Sequence, residues 1–134
     1  MSRAGWLSAA LLVLIAIAVV AVEAVDRPEA AVEASVRRYA AAVASGDLDA
    51  AMAEIAPSER SHWSDWVNGQ LGNVYDVTGV AVHAPWLFGS PSDVTVDLDV
   101  NRAYPDEFYQ ASPRVAVQNA DGRWYLAAPL LAPT

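Results

Sequence analysis

The stretch Asp93–Val100, which reads DVTVDLDV, alternates polar and aliphatic residues over its whole length. Successive side chains of a β-strand point to opposite faces of the sheet, so the four aliphatic residues would share one face. Asp97 and Asp99 would lie on the other face, where the pattern is typical of a solvated outer surface. The stretch therefore predicts a strand that is buried on one side only.

Four further strands are predicted around this stretch, where the hydrophobic period is again close to two residues. The sequence Asn119-Ala120-Asp121-Gly122 is typical of a turn and would join the last two strands in a hairpin. The expected additional strands span residues 74–83, 107–110, 114–118 and 123–128.

Before these strands, apolar residues recur at helical spacing and predict three helices. The first would begin near Pro28, with Asp26 as its cap, and would end at Gly46. Asp47 would cap a second helix, whose apolar stripe continues as far as Ile55.

A third helix would be capped by Ser58 or Ser61 and would end at Gly72. Three helices followed by an antiparallel sheet form an α+β domain in which the helices cover one face of the sheet. This domain, residues 26–134, is large enough for one modest core without disulfide bonds.

Residues 1–25 are predicted to form a separate membrane segment. Residues 4–22 contain no charged side chain, and a helix of that length would be about 28 Å long, close to the hydrocarbon thickness of a bilayer. Arg3 precedes this segment and Glu23 follows it, so the positive-inside rule places the amino terminus in the cytoplasm. We therefore expect a single-pass protein of the cell membrane with an extracytoplasmic C-terminal domain.

A cleaved signal peptide is the alternative for the same residues. Val22 and Ala24 offer acceptable side chains for cleavage near Ala24, which would release a secreted domain. The uncharged run is longer than the usual signal-peptide core of about 7–15 residues, and this favours the retained anchor. A buried core helix fits less well, because the remaining domain could hardly bury it on all sides.

The charge balance excludes several classes of partner. The chain has 8 basic residues, all of them arginine, against 16 acidic residues, and its net charge is -8. Nucleic acids and anionic lipid headgroups require a basic surface, which the sequence does not predict. The absence of cysteine removes disulfides, thiolate zinc sites and cysteine nucleophiles. Neither a cofactor nor a metal ion is expected.

Two stretches resemble a known family. VRRYAAAVASGDLDAAMAEIAP, residues 36–57, resembles the opening of nuclear-transport-factor-2-like (cystatin-like cone) domains, in which a long helix ends at Gly-Asp and a short helix follows. VQNADGRWYLAAPLL, residues 117–131, resembles their closing hairpin. The resemblance implies a curved antiparallel sheet of four to six strands around the helices, often a pocket, and frequently dimers. Membrane-tethered members belong to secretion and envelope-transport assemblies, which implies an accessory role in such a complex.

Enzymes of this family place an acid, a histidine or a tyrosine in the pocket, so the resemblance makes Tyr39 and His83 catalytic candidates. Tyr39 would lie on the buried side of the first helix, where it is also typical of a core aromatic. His62 is interpreted as a surface residue. Asp97 and Asp99 would emerge about 7 Å apart, which suits a carboxylate pair or half a calcium site, but their face is the one predicted to be solvated.

Aromatic residues are the main candidates for ligand or partner binding. Trp63, Trp66 and Trp86 are expected to converge with Tyr75 and Phe88 on an apolar pocket or a protein-binding patch, unless they only fill the core. Trp86 and Phe88 lie in a loop rich in proline and glycine, where such large side chains are difficult to bury.

Two functions are compatible with these residues. The first is a non-enzymatic, membrane-tethered module that binds a partner protein, a second copy of itself or an apolar ligand outside the cytoplasm. The alternative is a small-pocket isomerase, dehydratase or cyclase, which requires Tyr39, His83 or an aspartate to point into a closed apolar cavity with a shifted pKa. The lack of convergent catalytic residues in the sequence favours the first function.

Overall fold

The computed structural model describes residues 27–85, 89–103 and 106–133. Three α-helices come first, and a 3-10 turn over Pro57–Glu59 separates the second from the third: α1 (Pro28–Ser45), α2 (Leu48–Met52) and α3 (Arg60–Gln70). Five strands follow: β1 (Val74–His83), β2 (Asp93–Ala103), β3 (Asp106–Ala111), β4 (Arg114–Ala120) and β5 (Arg123–Leu126). The prediction of an α+β domain with three helices and an antiparallel sheet is confirmed.

None of the helices within the described residues is both long enough and apolar enough to cross a membrane. The anchor predicted at residues 4–22 lies outside the described residues. The same is true of Asp26, the predicted cap of α1, and Arg27 stands at the N-cap position without a side-chain cap bond.

The junction between α1 and α2 follows from two adjacent residues. Gly46 adopts a left-handed backbone, with φ of 74°, and its N–H donates to the carbonyls of Ala42 and Val43. The side chain of Asp47 accepts a hydrogen bond from the N–H of Ala50 at 3.0 Å and so caps α2. Both predictions at this junction are confirmed.

Two predictions about the helices are wrong. α2 stops before Ile55, because Ile55 forms a parallel bridge with Leu126 of β5 and its backbone is extended there. Neither Ser58 nor Ser61 caps α3. The N-cap is Glu59, which makes no side-chain cap bond, because α3 follows the preceding 3-10 turn without a break.

β2 is the central strand of the sheet. β1 pairs with one edge of β2, from Val74 opposite Asn101 to His83 opposite Asp93. The other edge of β2 is shared by β3 and by β4, and β5 pairs with β4 to complete the order β1-β2-β4-β5. A register shift at Gly79 marks a bulge, which increases the local twist and helps to curl the sheet.

The helices pack on one face of this sheet. The predicted alternation along β2 is confirmed, because its aliphatic side chains are buried while Asp97 on the opposite face is exposed. Burial of these apolar groups is the main stabilising contribution to the domain. The core contains Val32, Val36, Tyr39, Ala40, Ala42, Val43, Ala51, Ile55, Val67, Tyr75, Val94, Val96, Leu98, Val100, Val115, Val117, Leu126 and Leu130.

Candidate binding surface at Arg38, Glu54 and Arg123

Glu54 is the charged side chain that is buried among the described residues, with a side-chain exposure of 3 %. It lies in the segment between α2 and the 3-10 turn, where its carbonyl accepts a hydrogen bond from the N–H of Leu126 at 2.9 Å. The N–H of Ala56 donates to the carbonyl of Leu126 at 2.8 Å, so this segment runs beside β5. Burial of a carboxylate without partners is strongly unfavourable, and Glu54 therefore requires compensating donors.

Three side chains supply those donors. Arg38 on α1 donates from Nε to both carboxylate oxygens at 3.1 Å and from Nη2 to Oε1 at 2.9 Å. Arg123 on β5 donates from Nη2 to Oε1 at 3.3 Å and to Oε2 at 3.2 Å. The buried Ser35 donates its hydroxyl to Oε1 at 3.2 Å. Glu54 thus connects α1, the segment after α2, and β5.

The two arginines are held in place but are not enclosed. The side chain of Arg38 is 51 % exposed and that of Arg123 is 50 % exposed. A guanidinium group carries five N–H donors. Among the described residues, Nη1 of Arg38 makes no hydrogen bond, and neither do Nε and Nη1 of Arg123. The cluster therefore fixes two cations and leaves donors of both for a further acceptor.

A third arginine and an aromatic ring extend this surface toward α3. The guanidinium carbon of Arg123 lies 5.1 Å from the ring centroid of Tyr125, and that of Arg60 lies 5.8 Å from the same centroid. Both distances are within the range of cation–π contacts. Arg60 is also oriented by backbone carbonyls, those of Ile55 at 3.0 Å and Ala53 at 3.4 Å.

An open hollow of about 550 Å³ lies beside the ion cluster, along α1 and α2. Four of its lining residues are alanines, whose short side chains leave the space between the helices unfilled. A small molecule is usually bound in a site that encloses most of its surface, and this hollow is open to solvent instead. A segment of another chain does not require such enclosure. The lining residues are Arg38, Ala41, Ala42, Ser45, Ala50, Ala53, Glu54 and Arg123.

The ion cluster is locally positive in a chain whose net charge is -8. Arg38 and Arg123 share one carboxylate, so the three charges sum to +1. Three other arginines each pair with a carboxylate of their own: Arg37 with Glu33 at 3.0 Å, Arg102 with Glu107 at 3.5 Å, and Arg114 with Asp93 at 2.9 Å.

The predicted catalytic residue Tyr39 lies in the core. Its side chain is inaccessible to solvent, and its hydroxyl has no hydrogen-bond partner within the described residues. Burial raises the pKa of Tyr39 far above its ordinary value, and the neighbouring Tyr75 raises it further. Tyr39 therefore occupies a position typical of a core aromatic, the other interpretation that the sequence allowed.

The other predicted catalytic residue, His83, lies on the outer face of the sheet, away from the helices. It stands opposite Asp93 on β2, and Asp93 precedes the buried Val94, so both His83 and Asp93 point outward. Nε2 of His83 lies 3.0 Å from Oγ1 of Thr95 on the same face. The structure therefore keeps Tyr39 and His83 on opposite sides of the sheet.

Asp97 and Asp99 also lie on the outer face. Asp97 accepts a hydrogen bond from the hydroxyl of Ser112 at 2.7 Å, and Asp99 stands opposite Asp76 of β1. No group of three or more histidine, aspartate or glutamate side chains in the described part of the chain is arranged to hold a metal ion.

Trp63 and Trp66 form an aromatic pair on α3. Their rings meet edge to face with centroids 6.3 Å apart, and the ring of the exposed His62 packs against Trp63 at 4.6 Å. Both tryptophans are half-buried and contact the core, so each still presents part of its surface to solvent. Trp63 follows Arg60 by one turn of α3.

Tyr75 is buried, and burial raises its pKa above the ordinary value. Its hydroxyl lies 3.5 Å from Oε1 of Gln70, one helical turn beyond Trp66. Tyr75 thus reaches the face of α3 that carries the tryptophans, but from inside the core. Trp86 and Phe88, the remaining predicted binding residues, lie outside the described residues.

Sequence patterns did not predict the Glu54 cluster. Arg38 precedes Glu54 by 16 residues, and Arg123 follows it by 69 residues, so no local spacing connects them. One local signal was present: Ser35 and Arg38 are separated by a single helical turn and therefore share one side of α1. A glutamate within an alanine-rich segment was a second signal, because little else in that segment is polar.

No protein-family description matches the chain, and a comparison with curated proteins gives no match. Among solved structures, the chain is similar to a SEC-C motif containing protein from Rhodopseudomonas palustris, whose structure was determined in solution. The two are 23 % identical, the similarity covers 65 % of this chain and 67 % of that chain, and the TM-score is 0.44. A similarity at this level carries no information about activity.

Proposed function

We propose that this protein is a non-enzymatic, membrane-tethered module that binds a partner protein outside the cytoplasm, as an accessory subunit of an envelope complex. Residues 4–22 would supply the tether, and residues 26–134 a nuclear-transport-factor-2-like domain. The observation that carries the proposal is the arrangement of Arg38 and Arg123 around the buried Glu54, at the rim of an unfilled hollow.

A buried ion cluster is not needed merely to hold α1 against β5. Well-packed apolar residues of similar volume often stabilise a protein as well as a buried ion pair does, or better. What Glu54 adds is orientation, because it fixes two long side chains that would otherwise sample many rotamers in solvent. Side chains that are ordered before binding lose less conformational entropy when a partner arrives. Arginine is also enriched in protein–protein interfaces.

Aromatic side chains support the same assignment. Trp63 and Trp66 are half-buried on α3, and Arg60 at the start of that helix contacts Tyr125 beside Arg123. Tryptophan, tyrosine and arginine are the residue types that most often dominate the free energy of protein–protein binding. An interface centred on the arginines therefore has aromatic groups within its reach.

The positions of the catalytic candidates favour binding over catalysis. A small-pocket enzyme needs an acid or a base that faces a closed cavity. Tyr39 is sealed in the core, whereas His83 lies on the outer face and contacts Thr95. Neither side chain shares a cavity with the other in the described part of the chain.

Site-specific photocrosslinking in cells tests the partner. A benzophenone-bearing amino acid in place of Ala41 would stand in the hollow, and the same group in place of the exposed Gln110 would stand on the outer face of the sheet. We expect a discrete protein adduct from position 41 and none from position 110. Absence of an adduct at position 41, or equal adducts at both positions, would contradict the proposal.

The tether is tested separately by fractionating cells that express the full-length chain and by mass spectrometry of its amino terminus. We expect an intact amino terminus in a carbonate-resistant membrane fraction. A soluble product that begins near Val25 would show that the segment is a cleaved signal peptide.

A further inference from the structure

We propose that the hollow beside Arg38 and Arg123 binds a carboxylate from the partner, carried by an aspartate or glutamate in an extended segment with apolar neighbours. This inference rests on the proposed function and specifies the chemistry of its partner. It follows from the charge of the cluster, from the hydrogen-bonding groups that remain available in it, and from the composition of the hollow.

The charge of the cluster selects an anion. Glu54 compensates one of the two guanidinium groups, and half of each arginine side chain is exposed to solvent. Arg60 adds a third cation beside Tyr125, held by backbone carbonyls rather than by a carboxylate. A partner carboxylate would neutralise the excess, whereas a partner cation would be repelled.

Hydrogen bonding selects an acceptor. Oε1 of Glu54 already accepts from Ser35, Arg38 and Arg123, and Oε2 accepts from both arginines. Glu54 is therefore saturated and has little capacity to receive a donor from a ligand. The available groups are N–H donors of the two arginines, and a guanidinium presents such donors in the planar fork that matches a carboxylate.

The lining of the hollow selects apolar neighbours. Beyond the ion cluster, its walls are formed by Ala41, Ala42 and Ser45 on α1, with Ala50 and Ala53 on the other side. These side chains offer apolar contact and, apart from the Ser45 hydroxyl, no polar group. That hydroxyl already donates to the carbonyl of Ala42 at 3.0 Å. Residues next to the bound carboxylate should therefore be apolar.

A peptide carboxylate fits this surface better than a lipid headgroup does. The chain has a net charge of -8, which opposes the approach of the domain as a whole to an anionic bilayer. A single acidic side chain from a partner is different, because charges separated by more than about 8 Å are largely screened at physiological salt. Direct contact with two oriented arginines can then outweigh repulsion from distant acids.

The test is a selection of random displayed peptides on the full-length chain, immobilised in zwitterionic detergent. We compare the wild type with Arg38→Gln and with the matched control Arg37→Gln. Both substitutions remove one positive charge from the same helix, but Arg37 pairs with Glu33 and does not line the hollow. Selected wild-type binders should carry an aspartate or glutamate at one position beside apolar residues. Purified binders should bind Arg38→Gln about tenfold more weakly and Arg37→Gln equally well.

A second variant keeps the test informative if Arg38→Gln disturbs the folding of the domain. Ala41→Leu adds volume within the hollow at a position that is exposed to solvent, and it leaves every residue of the ion cluster in place. It should also weaken the acidic peptides about tenfold, while the thermal unfolding of the protein stays close to that of the wild type.

Three outcomes would overturn the inference. These are selected peptides without a preferred acidic position, equal binding by Arg38→Gln and the wild type, and displacement of the peptides by soluble phosphatidylglycerol, which would assign the hollow to a lipid headgroup. Crosslinking from position 41 distinguishes this failure from failure of the proposed function. An adduct at that position without any acidic preference would leave the partner-binding function standing and remove only its chemistry.

Discussion

The surface around Glu54 and the outer face of the sheet both carry several charged groups, but they are built differently. Glu54 is 3 % exposed, and its partners come from elements far apart in the sequence. Asp97 on the outer face is exposed, and its hydrogen bond comes from Ser112 in the connection between β3 and β4. An exposed carboxylate is solvated by water, whereas a buried one requires the fold to supply its donors. The first arrangement orients two half-exposed guanidinium groups through a single buried carboxylate.

The largest difference in stability between the two regions is expected from a substitution of Ile55, the residue that follows Glu54 in the chain. Ile55→Ala removes a fully buried side chain at the bridge to Leu126 and should lower the free energy of unfolding by about 3 kcal/mol. Val74→Ala on the outer face, where the side chain is 48 % exposed, should lower it by about 0.5 kcal/mol. Urea unfolding of both variants measures the difference, and equal losses would contradict it.

Removal of the buried charge should have the next largest effect. Glu54→Gln leaves Arg38 and Arg123 without their carboxylate and should lower the free energy of unfolding by about 2 kcal/mol. We expect less than for a fully buried pair, because water can hydrate the exposed half of each arginine. The control Glu33→Gln removes an exposed pair with Arg37 and should change stability by about 0.4 kcal/mol. If the two variants lose the same stability, Glu54 does not act as a buried anchor.

The pH dependence of the free energy of unfolding tests the burial of Tyr39 in the core, apart from both surfaces. Its folded-state pKa is raised above the ordinary value of 10.0, so the folded protein retains a proton that the unfolded chain releases as the pH rises past that value. Stability should therefore fall by about 1.4 kcal/mol for each pH unit above that value, with a similar fall from Tyr75 while its raised pKa is not exceeded. Tyr39→Phe should remove its share of this slope.

At neutral pH, Tyr39→Phe removes a hydroxyl without a partner and should leave stability unchanged or raise it by about 1 kcal/mol. Chemical denaturation at neutral and alkaline pH checks both statements. An unchanged alkaline slope, or a large loss at neutral pH, would show that the Tyr39 hydroxyl makes a stabilising contact.

The smallest effect is expected on the outer face. Asp99 stands opposite Asp76, and like charges directly opposite each other on neighbouring strands are destabilising. Asp99→Asn should raise the free energy of unfolding by about 0.5 kcal/mol at low salt and by less at high salt. Asp97→Asn, at the position that accepts the Ser112 hydrogen bond, should bring no such gain. A loss on Asp99→Asn would indicate that this carboxylate has a structural partner.

The parts of the fold that depend on local chemistry could be predicted from the sequence. The two-residue period along β2 and the Gly46-Asp47 junction each involve neighbours in the chain, and both are confirmed. The end of α2 could not be predicted in this way. Helical periodicity continues to Ile55, but pairing with Leu126 ends the helix earlier, and that partner is distant in the sequence.

The candidate surface at Arg38, Glu54 and Arg123 could not be predicted from local sequence patterns for the same reason. Arg38 and Arg123 become neighbours only because α1 and β5 both pack against the segment that contains Glu54. The sequence drew attention instead to Tyr39 and His83, whose chemistry is suitable but whose burial and face are set by the tertiary fold. The type of each residue can be recognised from the sequence. Whether side chains that are distant in the sequence meet at one site depends on the tertiary fold and cannot be recognised in the same way.

We expect the partner to bind to the arginines held by Glu54. The most direct test compares the yield of the position-41 crosslink in cells that carry Arg38→Gln with the yield in cells that carry Arg37→Gln, at equal protein levels. We predict that the yield falls about tenfold for Arg38→Gln and stays near the wild-type level for Arg37→Gln. Equal yields for the two variants would show that the partner does not contact the oriented arginines, contrary to the proposed binding mode.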